Sequence, residues 1–270
     1  MLIAIDIGNT SLDFAVLKGQ RVIKRYQTAT VAAADVLRKN LKKIFFRLKR
    51  QYGNSEAVIV CSVVPEVLKF LEPLLKQTFP QKVYVLGRDI VVPIVNRYAN
   101  PRQVGQDRLV CAYAAAHLYG YPTVIIDLGT AITFDVVSAK REYLGGMIVP
   151  GIKLSADTLF QKTALLPLVK IRQPRSLIGK DTQSSILSGI FYGYGMMMQG
   201  VVSLVGQRMP VKPKAVVTGG YADLMKKFIS AKIDIIDRNL VLKGMALVWK
   251  IRKRGRHPSY CSSRRESNPF

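Results

Sequence analysis

The chain opens with LIAIDIGNTSLDFAVL, residues 2–17, and no other stretch restricts its fold as much. An apolar run, Leu2 to Ile5, breaks at Asp6-Ile7-Gly8-Asn9-Thr10, and alternating apolar character resumes through Leu12, Phe14 and Val16. Period-two alternation on both sides of a polar, glycine-bearing break predicts a β-hairpin. A glycine in the turn lets the backbone approach a ligand closely, so N–H groups and the Thr10 and Ser11 hydroxyls can face phosphate oxygens. Asp6 ends the first strand, where its carboxylate can hold a metal ion directly or through water. Taken alone, D-x-G-x-T fits an ordinary hairpin turn better.

The pattern returns. Residues 123–137, TVIIDLGTAITFDVV, set Asp127 against Asp6, Gly129 against Gly8 and Phe134 against Phe14, with Thr130 matching Thr10 if the second copy lacks one residue. Internal self-similarity at about half a chain predicts two homologous domains facing each other. Two such turns meeting across a cleft would gather two carboxylates and two sets of backbone donors around one polyphosphate, which is a nucleotide site.

At 270 residues the chain can hold two domains of ordinary size, and 49% hydrophobic against 21% charged residues is ample for real cores. The net charge of +24 admits nucleic acid, an anionic membrane or a small anionic substrate. The bases are scattered and no zinc-finger or RNP aromatic pattern occurs, so the expectation is a solvated surface, no membrane and no nucleic-acid partner. Cys61, Cys111 and Cys261 are widely spaced, and the first two sit in apolar surroundings, as buried thiols of a reducing compartment do. Asp6 interrupts the first apolar run, which argues against a signal peptide and for the cytoplasm.

In chain order, Arg21–Thr28 reads as a third strand and Val31–Arg50 as a helix with Leu37, Leu41, Ile44 and Leu48 on one face and bases on the other. A strand (57–64), a helix begun by Pro65, and a strand (82–86) follow. Asn96–Arg108 reads as a loop entering a helix, which puts Asp107 and Arg108 near a helix N-terminus. There a carboxylate stays ionised and could accept the proton of an attacking hydroxyl, with Arg108 bridging to an anion. From spacing alone, a capping aspartate and a surface arginine fit better.

The second hairpin leads to a strand (141–149), a helix (152–162), an irregular run and the turn Ile178–Thr182. Thr182–Gln207 carries no charge over 26 positions, but five glycines and many polar residues favour a buried or subunit-facing helix over a membrane span. Met196–Met198 is expected to fill core. Thr218-Gly219-Gly220 ends a strand and offers amides and a flat gap for an adenine ring or ribose; a plain strand–helix connection fits equally. Strand 233–236 and helix 240–251 close the second domain. The basic tail 252–270 reads as disordered, and His257 with Cys261 does not make a metal site.

The order of three antiparallel strands, then helix, strand, helix, strand, resembles the ribonuclease-H-like fold of actin and sugar kinases. The set DIGNT (6–10), GQDR (105–108), DLGTAITFD (127–135), YLGGMIVPG (143–151), GKDT (179–182) and TGG (218–220), with Tyr98 nine residues before Asp107, resembles the type III pantothenate kinases. The match covers roughly residues 1–250. It implies two duplicated actin-like α/β domains (1–118 and 119–251) with mixed sheets flanked by helices and a cleft between them. It also implies ATP-dependent phosphorylation of pantothenate in coenzyme A synthesis, a homodimer, Mg2+ with ATP, and a monovalent cation, K+ or NH4+.

By the same resemblance Asp6, Ile7, Gly8, Asn9, Thr10, Ser11, Leu12 and Asp13 form the ATP phosphate loop, with Asp6 near Mg2+ and Thr130 on an ATP phosphate. Tyr98, Gly105, Gln106, Asp107 and Arg108 hold pantothenate, with Thr182 reaching it across the dimer. Asp107 is the base, and Asp127 binds the monovalent cation. Ser11-Leu12-Asp13-Phe14 departs from many relatives, which carry a second small polar residue and a glycine nearby. Other actin-like small-molecule kinases, or a non-catalytic regulator binding nucleotide or nucleic acid, are the alternatives; retention of Asp107 argues against the regulator.

Overall fold

The computed structural model of the protein describes residues 1–30, 34–229 and 232–255. Its elements begin β1 (Leu2–Ile7), β2 (Ser11–Lys18), β3 (Arg21–Ala29), α1 (Ala34–Tyr52), β4 (Ala57–Ser62), α2 (Pro65–Thr78), β5 (Val83–Val85), β6 (Val95–Asn96) and α3 (Gln106–Tyr119). They continue β7 (Thr123–Leu128), β8 (Ala131–Val137), β9 (Glu142–Pro150), α4 (Ile152–Lys162), α5 (Thr182–Gln207), β10 (Lys214–Thr218), α6 (Ala222–Ile229), β11 (Ile235–Ile236) and α7 (Leu240–Lys253).

Two units result. The first comprises Met1–Ile94, Ala99–Ala114 and the described chain from Asn239 to Gly255; the second comprises Val95–Tyr98 and Ala115–Arg238. In the first, the sheet order is β3-β2-β1-β4-β5, with β1, β2 and β3 antiparallel and β4 and β5 added in parallel beside β1. Successive side chains of a strand point to opposite faces. Ile3, Ile5 and Ile7 therefore share one face, and they pack with Leu41 and Leu48 of α1 and Leu71 and Leu75 of α2 in a single buried cluster. Leu2 and Ala4, on the other face, are buried as well. Phe14, fully buried, meets Phe45 edge-on at 5.8 Å between ring centroids. Burying such a ring contributes about 1.5–3 kcal/mol.

In the second unit the order is β11-β10-β7-β8-β9-β6. Reading from the meander, β9-β8-β7-β10-β11 repeats the arrangement β3-β2-β1-β4-β5, antiparallel and parallel pairs included. The duplication expected from the two hairpins is thus present in topology. Phe134, Phe191 and Met225 fill its core beside Ile126 and Leu128.

Some expectations shift. Residues 31–33 lie outside the described set, so the helix expected from Val31 is described from Ala34. The strand expected at 233–236 is only Ile235–Ile236, and β6 was not foreseen. Met198 is fully buried but Met196 is 67% exposed, because three consecutive helical residues cannot share one face. The sequence pattern puts the last helix in the second domain and ends it at Ile251; α7 instead runs to Lys253 and packs on β1, β3 and β4 of the first unit. A helix's apolar stripe shows which face is buried but not which sheet buries it. Its Gly244 lies so close to α3 that an added Cβ would stand 2.6 Å from the Val110 carbonyl oxygen. The tail beyond residue 255, with His257 and Cys261, lies outside the described residues. No helix among the described residues is long and apolar enough to cross a membrane.

Candidate functional site

The first turn is built by strand register. Ile7 pairs with Leu12 across β1 and β2, which leaves Gly8 to Ser11 to close the loop, and the Gly8 N–H donates to the Ser11 carbonyl at 3.0 Å. Thr30 holds the loop from outside: its hydroxyl donates to the Gly8 carbonyl at 2.7 Å and its N–H to the Thr10 carbonyl at 3.0 Å. The second turn is one residue shorter. Leu128 pairs with Ile132, and the Gly129 N–H donates to Ala131 at 3.2 Å.

Within the first loop the candidates differ in what they can offer. Asn9 and Thr10 are exposed and Gly8 is half-buried. Ile7 and Leu12 are fully buried core residues, so only their backbone can meet a ligand. Asp13 pairs across the strands with Asp6, but its carboxylate takes Arg25 Nε at 2.7 Å, Gln27 Nε2 at 3.2 Å and Ser11 Oγ at 3.3 Å. That carboxylate ties β2 to β3.

Asp6 lies beside Cys61 in the parallel β1–β4 pairing. Burial pushes the Cys61 thiol well up, and the Asp6 and Asp107 carboxylates push it further in the same direction. Both carboxylates therefore stand within electrostatic reach of one buried sulfur. The Val63 N–H donates to the Ile7 carbonyl at 3.1 Å, and Val63 Cγ1 lies 3.5 Å from a Cβ position on Gly105, so the residue before α3 and the end of β1 share a neighbour within one unit. The four residues Gly105–Arg108 are half-buried there. Asp107 Oδ1 accepts from the Arg108 N–H at 2.8 Å, a first-turn amide whose dipole favours a negative charge. The same oxygen lies 2.4 Å from where a Cβ on Gly105 would stand, so the glycine leaves the space that the carboxylate occupies. Gln106 leans over Gly87, whose φ of +81° belongs to the left-handed region.

In the second unit, Asp127 Oδ1 lies 2.4 Å from a Cβ position on Gly219, and Gly219 (φ +95°) also touches the Leu128 backbone. In the Thr218-Gly219-Gly220 turn, expected either to offer amides to a ligand or to be a plain strand–helix connection, Gly219 lies against the Asp127 carboxylate. An added Cβ on Gly151 would stand 2.2 Å from the Thr130 carbonyl oxygen, so the start of α4 is packed onto the Gly129-Thr130 turn. Tyr98 is held by β6: its N–H donates to Asn96 Oδ1 at 3.0 Å and its ring covers Gly145. Beneath, Tyr143 donates to the buried Asp135 carboxylate at 2.7 Å.

Thr182 is exposed at the first position of α5. Asp181 caps that helix in a reciprocal box with Ser184, accepting its N–H at 2.8 Å. This backbone bond holds the Asp181 carboxyl below the usual carboxylate range. Among the described residues no three histidine, cysteine or acidic side chains converge as a metal cage. Mg2+ is usually held by one or two carboxylates together with substrate phosphates, and the half-buried Asp6 carboxylate at the end of β1 is a donor of that kind.

The family model for type III pantothenate kinase matches residues 2–204. The type III pantothenate kinase of Halalkalibacterium halodurans is 35% identical over 252 residues, covering 93% of this chain and 99% of the relative. Among solved structures, a Campylobacter jejuni protein named a conserved Baf family transcriptional activator superposes with a TM-score of 0.60 at 17% identity, over 93% of this chain and 99% of that one. The ADPNP-bound activator of 2-hydroxyisocaproyl-CoA dehydratase from Clostridium difficile does so at 0.53 and 13% identity, over 96% of this chain and 99% of that one. These two likenesses bear on the fold alone.

Proposed function

The chain belongs to the type III pantothenate kinase family, ATP-dependent phosphotransferases that act on pantothenate at the head of coenzyme A synthesis, and from that premise we propose how its residues divide the reaction. Asp107 is the general base. It takes the proton from the terminal hydroxyl of pantothenate as that oxygen attacks the γ-phosphorus of ATP and ADP leaves. Phosphoryl transfer asks the protein mainly for positioning and charge neutralisation, and a base within reach of the hydroxyl completes the set. The observation that carries this reading is that Val63, whose N–H donates to Ile7 beside Asp6, also packs against Gly105, next to which the Asp107 carboxylate sits.

The first turn offers its amides and the Thr10 and Ser11 hydroxyls to ATP phosphates. Asp6 would hold Mg2+, directly or through water, and the ion would supply positive charge against that of the ATP phosphates. Asp13 stays with Arg25, as its hydrogen bonds suggest. Tyr98, Gly105, Gln106, Arg108 and Thr182 contact pantothenate. Asp127, cradled by Gly219, binds the monovalent cation (K+ or NH4+), and Thr130 meets an ATP phosphate.

A homodimer is supported by α5. Its uncharged length exposes Gly189, Gly193, Met196, Gly200 and Leu204 along one stripe, and no neighbouring atom lies within 4 Å of a Cβ position on any of the three glycines. A cytoplasmic location follows from the substrates and agrees with the buried thiols Cys61 and Cys111.

The test is a phosphopantothenate assay with ATP and Mg2+, with and without K+. Wild type forms product, faster with K+, and Asp127→Asn loses the K+ response. Product formation that is indifferent to K+ in wild type would remove the role given to Asp127, and no product under any condition would remove the reaction.

A further inference from the structure

Scattered charge in the sequence becomes ordered on α1. Leu37, Leu41, Ile44, Phe45 and Leu48 face the core, and the opposite side exposes Arg38, Lys39, Lys42, Lys43, Arg47, Lys49 and Arg50. Helical geometry sorts these into two rows: Lys39, Lys43, Arg47 and Arg50 in one, Arg38, Lys42, Phe46 and Lys49 in the other. Steps of four residues advance about 6 Å along the axis. None of the seven bases forms an ion pair with a described residue. Asp35 is the only acidic residue of the helix.

Beside the second row lies a groove of about 530 Å³ between α1 and α2. Phe45, Phe46 and Phe70 supply its aromatic walls and Arg38 and Lys42 line it with them. Phe46 is 64% exposed, and the Arg38 guanidinium stands 6.0 Å from the centre of the Phe70 ring. An exposed phenylalanine among unpaired bases gains little from water.

We propose that the outer face of α1, with the α1–α2 groove, binds single-stranded nucleic acid. The base rows follow the phosphates, and one nucleobase stacks on Phe46 in the groove. Tracks of positive charge combined with aromatic platforms are how sequence-tolerant single-strand sites are built. An anionic lipid surface fits less well, because the apolar side of α1 is committed to the protein core and, among the described residues, only Val36 and Phe46 expose large apolar side chains on the basic side of the helix. The site is remote in sequence from every residue given a part in phosphoryl transfer.

The test uses the full chain and a fluorescein-labelled 20-nucleotide oligo(dT), read by anisotropy between 50 and 200 mM KCl. Wild type binds, and affinity falls with salt. The variant Lys39→Gln/Lys43→Gln/Arg47→Gln/Arg50→Gln binds at least tenfold more weakly, and its log–log salt slope is shallower by about three, since each single-strand phosphate contact contributes roughly 0.7. Phe46→Ala weakens oligo(dT) binding by roughly tenfold and leaves binding to inorganic polyphosphate, which has no base to stack, unchanged. Lys226→Gln/Lys227→Gln, on α6, binds as wild type does. All variants keep pantothenate kinase activity, which shows that they fold. The proposal is overturned if the quadruple variant binds oligo(dT) like wild type, if Phe46→Ala weakens both ligands equally, or if wild type prefers phosphatidylserine vesicles to the oligonucleotide.

Discussion

Replacing Gly105 with alanine should disable the base while sparing the fold. A Cβ at this position would stand 2.4 Å from Asp107 Oδ1, whereas its next contacts, Asp107 Cγ and Val63 Cγ1, are both at 3.5 Å. Real Cβ contacts essentially never fall below 3.0 Å, so the oxygen must retreat by at least 3.0 − 2.4 = 0.6 Å, and by about 1 Å to reach an ordinary contact. The backbone has no positive φ at Gly105, so alanine fits its conformation, and the strain falls on the carboxylate. Misplacing a catalytic group by about 1 Å can cost around 100-fold in rate. We expect kcat for phosphopantothenate formation to fall by about 10- to 100-fold, equivalent to about 1.4–2.7 kcal/mol in the barrier. The KM for ATP should hardly move, and the melting midpoint should drop by no more than about 1 kcal/mol of stability. A coupled ADP-release assay with a thermal melt on the same preparation separates the two. If Gly105→Ala turns over within twofold of wild type while its melt is unchanged, the place of the Asp107 carboxylate does not govern the reaction.

Other outcomes follow from the same geometry. Gly219→Ala forces a side chain into the left-handed region and against the Leu128 backbone, 2.5 Å from its nitrogen; unfolding in urea should show a loss of about 2–4 kcal/mol, with K+ activation lost in whatever folds. Asp13→Ala removes the acceptor of Arg25, Gln27 and Ser11, so its melting midpoint should fall while the KM for ATP stays within about threefold; a large KM rise with an unchanged melt would return Asp13 to the phosphate loop. Hydrogen bonds from Arg88 and Lys76 lower the Glu72 carboxyl to about 2. Its stabilisation is therefore present above the unfolded value near 4.5 and lost as pH falls towards 2. Arg88 and Lys76 are more than half exposed, so solvent limits the effect to on the order of 1 kcal/mol or less. Acid titration of Glu72→Gln should show a flatter fall across that window than wild type.

The hairpins were legible because a period of two with a glycine break admits few backbones, and even the missing residue of the second turn could be read from the spacing of Gly129 and Phe134. The place of Asp107 in the first turn of a helix was legible too, since helix starts carry their own chemistry. What escaped was contact between distant stretches. Val95–Asn96 is a strand only because β9 pairs with it in parallel, and two residues carry no periodic signal. The return of α7 to the first sheet rests on Gly244 meeting Val110, a fit that no local pattern announces. The glycine turn at Gly219 was legible as a break after a strand, but its contact with Asp127 was not. The bases of α1 were visible as a face, but the groove with Phe70 needed the second helix in place.

The most direct trial is single-turnover phosphoryl transfer by rapid quench, with saturating ATP, Mg2+ and pantothenate, in wild type and Asp107→Asn. The substitution keeps shape and removes the ability to hold a proton, so the transfer rate should fall by about 100- to 10,000-fold while calorimetry shows pantothenate binding within a few-fold of wild type. Transfer at the wild-type rate by Asp107→Asn would contradict the account at its centre.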